Sequence, residues 1–311
     1  MGLKGLNEPS LGMILFGGKG GVGKTTCACA TALYLAENFK TLLLSTDPAH
    51  SLADSLGQRI GDETTQVVGV KNLSALEINA EKALVEFKME HEAQIKQIID
   101  TGTNLDAEDV DSVFALPVPG MDEVMGLKMM IELVDEAEFE KFVVDTAPTG
   151  HALRLLSSPR LLDEWIKVMA KMRWKYRYVV QTFAGKYVPD EGDDLLLTMK
   201  KTVRRIEDLL CNQNRSEFIA VTTPQDMAIT ETEKLIDSLD KYGIRVRQLV
   251  INNVFESEGC RFCAAKTEEQ QKCLSRIKEK FPKLGMTIIP SQPREVKGLK
   301  TLADFKERLF N

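Results

Sequence analysis

The chemistry of this chain is concentrated in Gly17-Gly18-Lys19-Gly20-Gly21-Val22-Gly23-Lys24-Thr25-Thr26, which satisfies G-x-x-x-x-G-K-[ST] with Gly18 and Gly23 as its fixed glycines. Glycines let successive backbone N–H groups turn inward around phosphate oxygens, and a helix opening directly behind them adds the positive end of its dipole. The spacing predicts that helix over Thr25 to Asn38, after a short apolar strand that ends at Phe16. In this context Lys24 is placed to contact the β- and γ-phosphates of ATP, and the Thr25 hydroxyl to ligate Mg. Lys19 sits earlier in the loop, on its rim, and need not reach the same nucleotide; a solvated surface lysine is the alternative.

Two other runs deliver a carboxylate to the end of a strand. Thr41 to Ser45 leads into Thr46-Asp47-Pro48-Ala49-His50-Ser51, and Phe142 to Val144 into Asp145-Thr146-Ala147-Pro148-Thr149-Gly150-His151. Ligands of open α/β sheets sit outside the carboxyl ends of the strands. Asp47 is therefore a candidate to orient and polarise an attacking water, and Asp145 a candidate Walker B acid beside Mg, directly or through water. Either aspartate could merely cap the next helix, but their shared edge favours the chemistry. Cys260-Arg261-Phe262-Cys263 offers two thiolates that can grip one tetrahedral metal yet supply half of the four ligands a structural zinc takes. A symmetric dimer would supply the other half, while a redox pair or free thiols remain open. Cys273 reads as a core thiol.

The elements that must position these residues follow from periodicity. Met13 to Phe16, Thr41 to Ser45, Leu73 to Ile78, Phe142 to Val144, Phe218 to Thr222, Gln248 to Ile251 and Met286 to Ile289 are short apolar or β-branched runs separated by helical stretches. They read as strands of a mainly parallel sheet buried on both faces. The fold class is α/β, a P-loop NTPase core over about 1–78, 136–150 and 215–311, with a helical subdomain inserted at about 79–135 and 151–214, all within one ATPase domain. Inside the insertion, Leu162, Ile166, Met169 and Met172 recur at helical spacing, as do Met121, Met125 and Met129, with Lys167, Lys171 and Arg173 falling elsewhere around their helix. Methionine clusters suit surfaces that accept varied apolar partners, so these seven residues are candidates for a client groove; ordinary helix packing is the competing account.

Composition narrows the class further. The 311 residues are 43% hydrophobic and 28% charged, enough to bury a large core. A net charge of -6 argues against a general attraction to nucleic acid or to acidic membrane surfaces. No apolar run reaches the length of a membrane span, Met1 to Ser10 lack the apolar centre of a signal peptide, and Leu6 breaks the myristoylation pattern. Six cysteines are too few for a disulfide scaffold. A cytoplasmic chain in a reducing compartment is expected.

With Lys19 in its loop, the sequence resembles the deviant Walker A ATPases, the group of nitrogenase iron protein and the septum-placing and partition ATPases. Thr46-Asp47-Pro48-Ala49-His50 and Asp145 to His151 narrow the likeness to the arsenite-pump and tail-anchored-protein-targeting ATPases, and it runs over nearly the whole chain. The resemblance implies that Lys19 reaches across a homodimer to the partner's nucleotide, that Asp47 serves hydrolysis, and that the segment after Asp145 senses the γ-phosphate and moves the helical part. Asn252, in Val250-Ile251-Asn252-Asn253, resembles the family's adenine-reading asparagine, and Pro290 and Pro293 the loop packing the adenine's other side. An amide can donate to and accept from a base edge; a strand-ending turn residue is the alternative. The sequence departs from the family at Ser51, often Asn, and at Gln225, often Glu. Resemblance also implies a zinc shared between the Cys260–Cys263 pairs of two chains. It implies a factor that binds transmembrane segments of tail-anchored proteins and delivers them to a receptor at the endoplasmic reticulum. The alternative is the catalytic subunit of an arsenite or antimonite pump, against which stand a single ATPase unit and no thiol trio in the helical segments. A redox holdase using the cysteines is the third reading, set aside by the complete catalytic set.

Overall fold

The computed structural model describes residues 3–47, 51–103, 105–116, 120–147, 149–184, 186, 188–255 and 261–311. Eight strands form one sheet: β1 Met13–Gly17, β2 Thr41–Ser45, β3 Thr65–Gln66, β4 Leu73–Glu77, β5 Lys141–Asp145, β6 Ser216–Thr222, β7 Val246–Val254 and β8 Gly285–Pro290. Their order is β3-β4-β2-β5-β1-β6-β7-β8, and every pairing is parallel except β3 with β4. Every residue of β1, β2, β4 and β5 is buried, which is why these strands carry near-continuous apolar runs and not an alternating pattern. The expected parallel α/β sheet is thus borne out. The structure adds β3, a two-residue antiparallel edge strand with no run long enough to register as a strand.

Helices α1 Lys24–Leu35 and α2 Ser51–Leu56 belong to the first half of the sheet, followed by α3 Ala80–Glu90, α4 Glu92–Gly102, α5 Ala107–Ala115 and α6 Met121–Asp135. The 36-residue α7 Thr149–Ala184 and α8 Glu191–Cys211 come next, then α9 Asp226–Lys241, α10 Arg261–Lys280 and α11 Leu299–Phe310. The chain divides into two compact units, one of 1–79, 133–153 and 209–311, the other of 80–132 and 154–208.

In the first unit, one sheet face presents Ile14, Phe16, Leu43, Val143 and Val250 to Cys27 and Ala28 of α1 and to Leu302, Phe305 and Leu309 of α11. Ala220, Leu249 and Ile251 pack against Ile229, Leu274 and Ile277 in a separate cluster. The second unit has its own core, centred on Ile98, Val124, Met125, Leu162, Ile166, Met169, Leu196 and Met199. No described helix is long and apolar enough to cross a membrane.

Candidate nucleotide site

The glycine run closes into a loop between β1 and α1 because only glycine fits at its tightest points. A Cβ on Gly18 would come within 2.2 Å of the Val221 carbonyl oxygen, and one on Gly23 within 2.3 Å of Asn252 Nδ2; Gly23 also sits at φ +96. The first helical residue, Lys24, is 6% exposed, and its ammonium reaches across the loop to the Lys19 carbonyl at 3.3 Å. Burial pushes Lys24 below the ordinary lysine range, and the charges of Asp145 and Asp47 oppose that shift. Those two carboxylates and this ammonium therefore share one electrostatic neighbourhood, as an ATP site requires.

The β5 terminus is held in place by its neighbour. Asp145 pairs in register with Phe16 of β1 and Ser45 of β2, and the Thr146 hydroxyl donates to the Phe16 carbonyl at 2.7 Å. Asp145 is fully buried, and the Thr25 hydroxyl donates to its Oδ2 at 2.6 Å. A hydroxyl and a carboxylate converging beside a helix N-terminus are the hard oxygen donors that Mg takes, so the residues present fit that ion. Thr25 and Asp145 would hold Mg, which would supply positive charge to the β- and γ-phosphate oxygens. Asp47 is half-buried at the mouth, its backbone N–H donating to Ser45 Oγ at 3.1 Å. Pro48, Ala49 and His50 lie outside the described residues.

Asn252 is 5% exposed and stands against the loop itself, its Nδ2 donating to the Val22 carbonyl at 2.9 Å. Beside the loop opens a polar cavity of about 350 Å³ whose walls include Lys19, Gly20, Gly21, Gln225, Phe255 and Gln270. Pro290 is half-buried with its carbonyl taken by Gln292 Nε2, while Pro293 is exposed. Three residues with a place here escaped the motif reading. Gln270, 7% exposed, accepts from the Phe255 N–H at 2.7 Å and reaches the Asn253 carbonyl at 3.5 Å, so it shapes the cavity's wall. Lys266 lies 5.1 Å over the Phe255 ring on the same side. Glu77, 3% exposed, accepts from the N–H groups of Leu52 and Ala53 and so ties α2, which follows the Asp47 segment, to the end of β4. A strand-end acid on the carboxyl edge was the signal that singled out Asp47 and Asp145, and Glu77 carries it too.

Residues 11–311 match the family described as anion-transporting ATPase. The chain belongs to that family. "ATPase ASNA1 homolog 1" of Paramecium tetraurelia is 34% identical over 315 residues, covering 98% of this chain and 94% of the relative. "ATPase ASNA1 homolog" of Dictyostelium discoideum is 35% identical, covering 98% and 91%, and "ATPase get3" of Neurospora crassa is 32% identical, covering 98% and 92%. These likenesses bear out the resemblance drawn from the two strand-end segments. The chain is an ATPase of this family.

The remaining expected sites are placed differently. Cys263 is half-buried in the first turn of α10, and Cys260 lies outside the described residues. Among the described residues no three His, Cys, Asp or Glu side chains group to hold a metal. Cys273 is 8% exposed and burial pushes its thiol up, the behaviour of a core cysteine. Of the methionine stripe, Met121, Met125, Leu162, Ile166 and Met169 are 5% exposed or less within the core of the helical unit, and Met129 and Met172 are half-buried. Met125 and Leu162 also line a cavity of about 240 Å³ with Phe87, Leu195 and Met199.

Proposed function

We propose that this ATPase works as a homodimer that binds the transmembrane segment of tail-anchored proteins in the cytosol and delivers it to a receptor at the endoplasmic reticulum. The observation that carries the reading is full-length kinship with an ASNA1 and get3 set of ATPases, together with Lys19 at the loop's rim. Lys24 and the loop N–H groups hold the phosphates, Asp47 orients the water, and Lys19 reaches the partner chain's nucleotide. The helical unit takes the client. Its cavity of about 240 Å³ is far smaller than a span of about 20 apolar residues. A tail is therefore received by two helical units together, with Met129 and Met172 at the margin and the buried members of the stripe supporting the walls.

The test is co-expression with a tail-anchored client, followed by purification under ATP. The wild-type chain retains the client, and Asp47→Asn retains it longer while turnover falls by about 100-fold or more, because the amide keeps the shape and loses the charge that polarises water. Purification without any tail, at normal ATP turnover, would sink the targeting reading.

The description of the matched family favours a second reading, the catalytic subunit of an arsenite or antimonite pump. Trivalent arsenic takes soft thiolate ligands. All six cysteines fall at 27, 29, 211, 260, 263 and 273, none within the helical unit. Stimulation of ATP turnover by arsenite would restore that reading.

A further inference from the structure

The second half of α7 carries a basic and aromatic surface. From Trp165 to Pro189 the chain contains no aspartate or glutamate and six basic residues. One of these, Arg173, is buried, but Lys171, Lys175, Arg177 and Lys186 are exposed. No ion pair of Lys171, Lys175 or Lys186 is found among the described residues. Between them stand Trp174 at 66% and Tyr178 at 64% exposure, one helical turn apart with ring centroids 6.1 Å apart. At 100° per residue, Lys171, Trp174, Lys175 and Tyr178 fall on one side of the helix, opposite the side that carries Leu162, Ile166 and Met169 into the core. Val188, 68% exposed, adds apolar surface past the end of the helix, whereas Phe183, 86% exposed in the last turn, falls on a different side from Trp174 and Tyr178.

We infer that this basic and aromatic face of α7 docks on the surface of an anionic phospholipid bilayer. Trp and Tyr are the side chains that settle at a headgroup boundary, with an apolar ring and a polar edge, and lysines flanking them reach phosphate. The Trp174 and Tyr178 rings, with Val188 exposed past the end of the helix, supply the hydrocarbon that sinks toward the acyl boundary. The net charge of -6 is no obstacle, because an attraction between a surface and a helix acts within a Debye length of about 8 Å and senses the local charge. A second copy of the same face is disfavoured by like charge. Single-stranded RNA would also meet rings and cations, but an exposed Val188 offers a base neither stacking nor a hydrogen bond. The inference is independent of which client the ATPase carries.

The chain has two tryptophans, Trp165 and Trp174, so Trp165→Phe leaves Trp174 as the sole reporter on the face in question. Vesicles of an equimolar mixture of phosphatidylglycerol and phosphatidylcholine should co-float the full-length protein, shift Trp174 emission to the blue and shield it from acrylamide. Pure phosphatidylcholine vesicles should do none of these. Lys171→Glu with Lys175→Glu should weaken binding by roughly thirtyfold or more, since each basic residue near such a surface is worth about fivefold. Trp174→Ser with Tyr178→Ser should also release the protein, and both variants should keep wild-type ATP turnover as proof of folding. Equal flotation on neutral vesicles, undiminished binding by the glutamate variant, or a Trp174 response to oligouridine and not to vesicles would each overturn the inference. If a double variant fails to fold, salt titration of the wild-type protein decides: binding that survives molar salt unchanged excludes the electrostatic dock.

Discussion

Asn252 touches the phosphate loop from across 230 positions of sequence, its amide donating to the Val22 carbonyl beside the spot where only glycine fits. Its resemblance to the family's asparagine implies an adenine reader, and local spacing cannot reveal a partner so far away along the chain. The contact supports a second role, that of a brace for the loop. Asn252→Ala should leave a buried carbonyl unmet, lowering stability by about 1–3 kcal/mol and loosening ATP by roughly tenfold. Both fall together if the residue braces the loop. Unchanged thermal stability with a loss of preference for ATP over GTP would mark it as a base reader instead, and nucleotide titration beside a thermal melt separates the outcomes. Glu77 carries the strand-end signal, but its role is not legible from it, because its two backbone partners on α2 are set by the fold and not by any motif. Gly18, Gly23, Lys24 and Thr25 were legible because loop, strand and helix are contiguous, so their geometry is local.

Elements were legible where one period governs a stretch and obscure where burial contradicts residue type. Strand β5 begins at Lys141, a fully buried lysine whose ammonium donates to the carbonyls of Glu8 and Leu11 at 2.5 Å; its charge disguised a strand start that reads as Phe142. In the helical unit the disguise is Arg173, which sits among the basic residues of α7 but is 2% exposed. It pairs with Asp190 and, at 3.5 Å, with Asp193, tying α7 to the start of α8. Partial burial alone would push Asp190 up, but the hydrogen bond and charge of Arg173 outweigh it and hold that carboxyl below the usual range. A carboxylate with a depressed folded value adds stability above its unfolded value, near 3.9, and loses it as pH falls through that window. Both tryptophans lie in this unit, so their fluorescence follows its unfolding. The unit should lose stability in urea as pH drops below about 4. Arg173→Met should be less stable by roughly 3 kcal/mol at neutral pH and show a flatter acid slope. An equal acid slope in both proteins would remove the pair from the account.

At the scale of the whole molecule, the question is what two chains can make that one cannot. Each chain contributes the Cys260–Cys263 pair, with Cys263 half-buried at the start of α10 and Cys260 outside the described residues. Two thiolates leave a tetrahedral zinc half-coordinated, whereas a two-fold axis through the metal repeats the pair and completes four. Spacing alone makes the pair legible and cannot choose between metal, redox couple and free thiols, since the choice depends on a partner chain. The expected outcome is about one zinc per two chains in protein purified without chelator. Cys260→Ser with Cys263→Ser should lose the metal and shift the dimer toward monomer, because removing either pair leaves an open coordination sphere and metal binding is coupled to assembly. If Lys19 at the loop's rim reaches across to a partner's nucleotide as proposed, ATP should partly restore the dimer in the cysteine variant. Metal analysis with light scattering, in the presence and absence of ATP, reads all of these at once. A variant dimer as stable as the wild type without either zinc or ATP would place the interface elsewhere and detach both Lys19 and the cysteine pair from it.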